Sequence, residues 1–133
     1  AMRLPNVVLH GFVSPSDLPA RLKAASLLVN CRPSDDQVAA MSFPSKLIEY
    51  ALTEVPVLTT RLPSIPEQLR DAFLYIDEET EEGFVTAIKR ALSASQAERQ
   101  ALGSNARSKV LEAYSSQAVG AAIAGFVERV LRT

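Results

Sequence analysis

The stretch Leu27–Thr60, LLVNCRPSDDQVAAMSFPSKLIEYALTEVPVLTT, decides the fold of this chain. Its first four residues and the run Val55–Thr60 are apolar on both faces, which predicts two strands of a sheet that is covered by helices on both sides. Between them Pro44 lies near the start of a predicted helix, where its missing N–H costs nothing. The strand–helix–strand order predicts two parallel strands joined by a crossover helix.

The start of this predicted helix is a candidate anion site. A helix that follows a parallel strand directs its first N–H groups at the crevice above the sheet, and this geometry attracts phosphate. Lys46 and Glu49 lie three residues apart on one face of the helix. On spacing alone a solvated ion pair is the simpler interpretation of these two residues. Ser42 is interpreted as the helix N-cap, and Arg32 is either a surface cation or a phosphate ligand.

The rest of the chain predicts a scaffold around this stretch. Two further strands are expected at Asn6–His10 and Phe73–Ile76, a loop at 31–42, and a short helix around Pro66–Leu69. Helical periodicity follows in three apolar stripes, Phe84, Ile88 and Leu92, then Leu102, Ala106, Val110 and Leu111, then Val119, Ile123, Phe126, Val127 and Val130. We therefore expect an α/β fold, a Rossmann-like parallel sheet of about four strands flanked by helices, in a single domain over residues 1–133 with a helical C-terminus.

Composition excludes several classes of function. With 133 residues and 47% apolar content the chain is large enough for a core, and the net charge of −1 argues against a broad nucleic-acid-binding surface. No apolar run reaches the length of a membrane span, so no transmembrane segment is predicted. Cys31 is the single cysteine and His10 the single histidine, so neither a disulfide nor a zinc site is expected. His10 is interpreted as a strand-end residue, and Asp35 and Asp36 as solvated loop charges.

Four short strands would leave an open sheet edge, which folded proteins normally cover. Two explanations remain open at this point. Either the sequence is part of a larger chain that covers the edge, or the edge pairs with a second copy.

The residues of the central stretch resemble family 4 glycosyltransferases. The strings Arg32-Pro33-Ser34, Ser42–Tyr50 (SFPSKLIEY) and Val55–Pro63 (VPVLTTRLP) are similar to the bacterial subgroup with an FPSK-x-x-EY signature before a PV strand. Gly11-Phe12-Val13 and Pro66-Glu67 match as well, and the resemblance covers about residues 5–92. It implies the GT-B fold of two Rossmann-like domains. The chain would be the later part of the C-terminal, donor-binding domain, with the acceptor domain before residue 1.

The resemblance also implies roles for individual residues. Glu49 matches the second glutamate of the E-x7-E element, which holds the donor ribose, and a carboxylate can accept hydrogen bonds from both ribose hydroxyls. The first glutamate would fall at Met41, so the sequence departs from the family there. Ser45 and Lys46 would bind the diphosphate. The predicted donor-binding residues are Glu49, Lys46, Ser45, Ser42, Pro44, Arg32, Gly11, Phe12 and Val13, with the last three at the nucleotide base. No catalytic residue is assigned.

The full-length protein is therefore expected to transfer a sugar, with retention, from a UDP- or GDP-sugar to an acceptor hydroxyl, without a metal or other cofactor. The resemblance implies a glycan or lipid-linked acceptor, polysaccharide biosynthesis, and a bacterial cytoplasmic location that is peripheral to the inner membrane in the full-length protein. The fragment alone is expected to be inactive. Two alternatives stay open: a non-catalytic nucleotide-sugar-binding or assembly module, and a sugar-nucleotide epimerase with the GT-B fold.

Overall fold

The computed structural model describes residues 4–35 and 37–132 and has a three-stranded parallel sheet at its centre. The strands are β1 (Leu28–Asn30), β2 (Val57–Thr59) and β3 (Leu74–Tyr75), in the order β1-β2-β3. Leu28 pairs with Val57, and Leu58 of β2 pairs with Leu74 of β3. The expected α/β class with a parallel sheet and a helical C-terminus is confirmed.

Helices connect and cover these strands. In chain order they are α1 (Leu18–Lys23), α2 (Gln37–Met41), α3 (Ser45–Ala51), a 3₁₀ helix (Glu67–Ala72), α4 (Glu81–Ser93), α5 (Gln96–Tyr114) and α6 (Ser116–Leu131). The segment with α2 and α3 links β1 to β2, and the segment with the 3₁₀ helix links β2 to β3. Parallel strands need such crossovers because each chain segment must return to the same end of the sheet.

Two cores lie on opposite faces of the sheet, because successive side chains of a strand point to opposite sides. Val57 belongs to the large core, which α3, α5 and the 3₁₀ helix cover, whereas Leu58 belongs to the small core under α4. The large core consists of Leu28, Leu47, Ala51, Val55, Val57, Leu62, Ile65, Leu69, Ala72, Phe73, Ala106 and Val110. The small core consists of Leu58, Ile76 and Ala87, and its neighbours include Cys31 and Phe84. The sheet is therefore the middle layer of three.

Side-chain caps fix the starts of the three C-terminal helices. Thr80 accepts the N–H of Gly83 at 3.1 Å and so caps α4. Ser95 and Glu98 form a capping box at the start of α5, in which each side chain accepts the other residue's backbone N–H. Ser115 caps α6 and is itself in an extended conformation, so the helical conformation is interrupted between α5 and α6. Serine and threonine are favoured at this position because their oxygens satisfy N–H groups that have no helical partner.

The predicted strand at Asn6–His10 does not form. These residues have no strand geometry and are exposed, and the backbone near them makes a turn in which Val7 donates to the Leu4 carbonyl at 3.2 Å. A strand requires a partner with which to share hydrogen bonds, and the described sheet contains three strands rather than about four. The short apolar run at Asn6–His10 was a local signal without a pairing partner.

The segment before α3 also differs from the prediction. Residues 31–42, predicted as a loop, contain α2, whose five residues are too few to show a helical period. Ser42 is not the N-cap of α3: its hydroxyl donates to the Val38 carbonyl at 3.0 Å, so it contacts α2 instead. The N-cap is Pro44, which is extended and makes no side-chain cap bond. The N-cap thus lies two residues later than predicted.

The stretch Gln96–Leu131 has the length and composition of a membrane span, with a mean hydropathy of 1.2 in its most apolar window. A single candidate of this kind is weak evidence of a membrane span. The stretch is two helices separated at Ser115, and α6 has 16 residues. At 1.5 Å per residue α6 is about 24 Å long, which is less than a hydrocarbon core of about 30 Å.

Candidate functional site

A polar groove lies at the edge of the sheet where the strands end. Its cavity volume is about 570 Å³. The segments that follow β1, β2 and β3 form its walls together with α4, and the lining residues are Cys31, Arg32, Pro33, Ser34, Asp35, Thr60, Asp77, Glu79 and Phe84. Open α/β sheets bind their ligands in the crevice outside the carboxyl ends of the strands, so this groove is the candidate site.

Two consecutive buried threonines fix the floor of the groove. Thr59 and Thr60 are 0% and 1% exposed. The Thr59 hydroxyl donates to the Asn30 carbonyl at 2.7 Å, and the Thr60 hydroxyl donates to the Arg32 carbonyl at 2.5 Å. Both bonds tie the end of β1 to the end of β2, where the ladder of backbone hydrogen bonds stops. The start of the loop after β1 is therefore held in place.

Glu79 holds the same loop from the other side. Its carboxylate accepts the backbone N–H of Ser34 at 3.0 Å. Burial, together with the negative charge of Glu79, raises the pKa of the Cys31 thiol. A thiol with a raised pKa stays protonated at neutral pH, and the thiol is a poor nucleophile compared with the thiolate. Cys31 is thus a wall of the groove and not a reactive group.

Asp77 is the most strongly paired acid in the groove. Arg90 donates to Asp77 at 2.9 Å and to the Tyr75 carbonyl at 2.9 Å, so it bridges α4 to the end of β3. Arg61 lies 3.5 Å from the other Asp77 oxygen. The hydrogen bond from Arg90 holds the pKa of the Asp77 carboxyl below its ordinary value. The negative charge of Asp77 is therefore balanced by two guanidinium groups at this end of the groove.

Among the predicted donor-binding residues, Arg32 lines the groove. It is half-buried, and its carbonyl is the acceptor of the Thr60 bond described above. Asp35 also lines the groove and is exposed, whereas Asp36 lies outside the described residues. Within the residues that the structure describes, no three His, Cys, Asp or Glu side chains form a group that could hold a metal ion.

Ser45, Lys46 and Glu49 lie on α3 and are exposed. They are not among the lining residues of the groove, since α3 packs on the large core and the groove lies on the side of α4. In the described part of the chain Lys46 and Glu49 form no ion pair with each other. Pro44, which precedes them, is buried. The side chains of Ser45, Lys46 and Glu49 thus form an exposed polar surface outside the groove. Of the predicted donor-binding residues, Arg32 lines the groove.

Gly11, Phe12 and Val13 are not part of the groove. Phe12 is 94% exposed, and Gly11 has a φ of 64°, a conformation that suits glycine. A Cβ atom at Gly11 would meet nothing within 4 Å. None of these three residues lines the groove that contains Arg32.

Asp77 and Glu79 belong to the acidic run Asp77–Glu82, a pattern typical of a turn and the start of a helix. The helix does begin at Glu81, but Asp77 and Glu79 line the groove. The signal that could have identified them is their position directly after a predicted strand, the same argument that selected Arg32. Thr60 was predicted as the last residue of the strand Val55–Thr60, whereas β2 ends at Thr59. Arg90 had no such signal, because its contact with Asp77 depends on how α4 packs.

Comparison with known proteins agrees with this architecture. The family model described as glycosyl transferase-like matches residues 2–125. Neither the curated proteins nor the solved structures give a significant match. The family match covers nearly the whole chain, including every strand of the sheet and every residue that lines the groove. The chain therefore belongs to the glycosyl transferase-like family, and glycosyl transfer is the general chemistry that this membership supports.

Proposed function

We propose that this chain is the donor-binding part of a retaining glycosyltransferase of family 4, of the subgroup with the FPSK-x-x-EY signature. The observation that supports the proposal most is the polar groove at the carboxyl ends of the strands, in a chain that belongs to a glycosyl transferase-like family. The donor would be a UDP- or GDP-sugar, and the acceptor a glycan or a lipid-linked glycan. The acceptor domain would lie outside this sequence, so the chain alone would not catalyse transfer.

The donor would bind across two neighbouring surfaces. Arg32 lies in the groove, and the exposed side chains of Ser45, Lys46 and Glu49 lie at the start and middle of α3. The crossover from β1 to β2 brings the start of α3 to the edge of the sheet at which these strands end, although α3 itself packs on the opposite face from the groove.

The chemical role of these residues follows from the charge that develops during transfer. As the bond to the sugar breaks, the departing diphosphate gains negative charge, and the cations Lys46 and Arg32 would stabilise it with the Ser45 hydroxyl as a hydrogen-bond donor. Glu49 would accept hydrogen bonds from both ribose hydroxyls and so fix the position of the leaving group. No metal is required in this proposal, because the cations supply the countercharge.

Calorimetric titration of the full-length protein with UDP and GDP tests the proposal. Glu49→Ala is expected to weaken nucleotide binding by about tenfold or more, the effect of losing charged hydrogen bonds. Glu112→Ala removes the same group from an exposed position on α5 and is the matched control, which should bind like the wild type. If neither nucleotide binds to the full-length protein, the transferase proposal is wrong.

A non-catalytic binding module is the second candidate, and Met41 favours it. Met41 stands where the resemblance places the first glutamate of the E-x7-E element, and its side chain is 89% exposed at the end of α2. A thioether cannot replace the hydrogen bonds of a carboxylate. Nucleotide binding by the full-length protein that is lost in Glu49→Ala, without release of the nucleotide from the nucleotide sugar in the presence of acceptors, would favour this candidate.

We also propose a cellular location for the full-length protein and a route for self-association of this chain. We expect the full-length protein in the bacterial cytoplasm, peripheral to the inner membrane, with a role in polysaccharide biosynthesis. The order β1-β2-β3 makes β1 and β3 the edges of the described sheet, so either edge could pair with a further strand. Light scattering of the chain over a range of concentrations would detect self-association through these edges.

A further inference from the structure

A second and smaller pocket lies next to the groove, between the segment that follows β2 and the 3₁₀ helix. Its cavity volume is about 250 Å³, and its lining residues are Arg61, Leu62, Pro63, Ile65, Arg70 and Tyr75. Sites for drug-sized ligands usually have volumes of about 300 to 1,000 Å³. A pocket below that range suits a single small group.

The Tyr75 hydroxyl in this pocket has no protein partner. It is buried, and no hydrogen bond to it exists within the described residues. A buried hydroxyl without a partner costs free energy, so an unpaired one calls for an explanation such as a missing ligand. Burial raises the pKa of Tyr75, while the positive charges of Arg61 and Arg70 act in the opposite direction. The hydroxyl thus keeps its proton at neutral pH, and Tyr75 lines the pocket together with Arg61 and Arg70.

Arg61 and Arg70 are not each paired with an acidic side chain of their own. Arg70 forms no ion pair with an acidic side chain in the part of the chain that the structure describes. Arg61 lies 3.5 Å from Asp77, but the shorter contact of Asp77 is the one with Arg90, at 2.9 Å. Asp71 is also near Tyr75, and it is held by Lys109 at 2.8 Å. Asp71 therefore serves another cation, and Asp77 is shared between Arg61 and Arg90.

We propose that this pocket binds a phosphoryl group, held by the Arg61 and Arg70 guanidinium groups and the Tyr75 hydroxyl. The planar fork of N–H donors in a guanidinium group matches the spacing of phosphate oxygens. The three groups offer donors and positive charge, and the pocket walls between them are apolar. An oxyanion would supply the acceptor that the hydroxyl lacks.

Arg61 lies over the ring that carries this hydroxyl. Its guanidinium carbon lies 4.5 Å from the centre of the Tyr75 ring, a cation–π contact that covers the ring. The Arg61 side chain is 66% exposed and its contact with Asp77 is long, so rotation off the ring costs little. Since Asp77 lines the groove, an anion that recruits Arg61 also changes the charge balance in the neighbouring groove.

Titration of the isotope-labelled chain, followed by nuclear magnetic resonance, tests this site without any nucleotide. Inorganic phosphate and phenyl phosphate are added separately at constant ionic strength, with sodium chloride as the reference salt. We expect saturable shifts of the signals of residues 61–65, Arg70 and Tyr75. Arg70→Gln should weaken this binding by about tenfold or more. Arg21→Gln removes the same charge from exposed α1 and should leave the binding unchanged.

The two probes distinguish the source of the group. Saturable binding of inorganic phosphate indicates a site for the free anion, whereas binding of phenyl phosphate alone indicates a site for a phosphomonoester on a larger molecule. The proposal is overturned if neither probe gives saturable shifts, or if Arg70→Gln and Arg21→Gln bind equally. Neither result depends on UDP or GDP, so failure here leaves the donor-site proposal untouched, and the reverse also holds.

Tyr75→Phe separates binding from folding. It removes the hydroxyl and keeps the ring under Arg61, so we expect weaker phosphate binding with a free energy of unfolding equal to or above that of the wild type, because an unpaired buried hydroxyl is removed. Lower stability with unchanged phosphate binding would show that the hydroxyl has a structural partner instead, and would remove it from the site.

Discussion

The two long C-terminal helices, α5 and α6, have the same kind of N-cap but differ in how far their side chains are buried. Both begin at a serine whose side chain accepts a backbone N–H. α5 buries Gly103, Ala106 and Val110, whereas α6 has no buried residue. The apolar stripe of α6 is 40% exposed at Val119, 59% at Ile123, 61% at Phe126, 46% at Val127 and 55% at Val130. A periodic apolar stripe thus predicts a helix and its apolar face, but it does not predict whether that face is buried.

Small residues explain why α5 packs so closely. A Cβ atom on Gly103 would lie 1.8 Å from the backbone oxygen of Glu54, so the absence of a side chain is what permits the contact. Glu54 has a φ of 62° in the turn that leads to β2. Its carboxylate also pairs with Arg107 of α5 at 3.1 Å. α5 therefore joins the sheet through a backbone approach that its sequence pattern does not reveal.

The largest expected effect comes from closing this approach. Gly103→Ala should lower the free energy of unfolding by about 3 kcal/mol, because the added methyl group forces α5 away from the Glu54 backbone. Urea denaturation, followed by circular dichroism, measures the change.

The same substitution in α6 is the control. A Cβ atom on Gly120 would meet nothing within 4 Å, so Gly120→Ala should leave global unfolding unchanged or stabilise the chain by about 0.5 to 1 kcal/mol through helix propensity. Equal destabilisation by both substitutions would show that α6 is packed as closely as α5, and the comparison would be wrong.

A pair of valines gives the next effect in size. Val110 of α5 is 2% exposed and Val130 of α6 is 55% exposed. Val110→Ala should cost about 2 kcal/mol, because it removes buried methyl groups and leaves a cavity, whereas Val130→Ala should stay within about 0.5 kcal/mol of the wild type. The free energy of unfolding in urea distinguishes them. A cost for Val130→Ala close to that for Val110→Ala would indicate that the stripe of α6 is covered in solution.

Much of the fold could be predicted from the sequence, because its strands are short apolar runs next to turn residues. The runs at Leu27–Asn30, Val55–Thr60 and Phe73–Ile76 each contain an observed strand. Asn6–His10 has the same composition and forms no strand. Composition is local, whereas strand pairing requires a partner that is distant in the sequence. The helix α2 was not predicted for a different reason. Its five residues are fewer than the window in which helical periodicity is visible.

The candidate site was predictable in part. The rule that ligands bind beyond the carboxyl ends of parallel strands points to the loop after β1, and Arg32 of this loop lines the groove. The same rule applied to the third strand would have included Asp77. The Tyr75 pocket could not be predicted, because it depends on Arg70 of the 3₁₀ helix lying near a hydroxyl on β3. That distance is a property of the packed structure and not of any single segment.

The smallest expected effect is electrostatic and again belongs to α5. Lys109 of α5 lies 2.8 Å from Asp71 of the 3₁₀ helix, and the hydrogen bond from Lys109 lowers the pKa of Asp71 below its ordinary value of 3.8. A carboxyl whose pKa is lower in the folded state stabilises the fold above its unfolded pKa, and this contribution disappears as the pH falls through the folded value. Lys109→Met should therefore reduce the loss of stability below pH 3.8, relative to the wild type.

Asp77 and Glu98 also have lowered pKa values, so the difference between the two proteins, and not the wild-type curve alone, reports on Asp71. Arg132→Met, which removes a cation 3.9 Å from Glu128 after α6, is the matched control. A parallel pair of stability-against-pH curves for the wild type and Lys109→Met would show that the contact between α5 and the 3₁₀ helix does not depend on this ion pair.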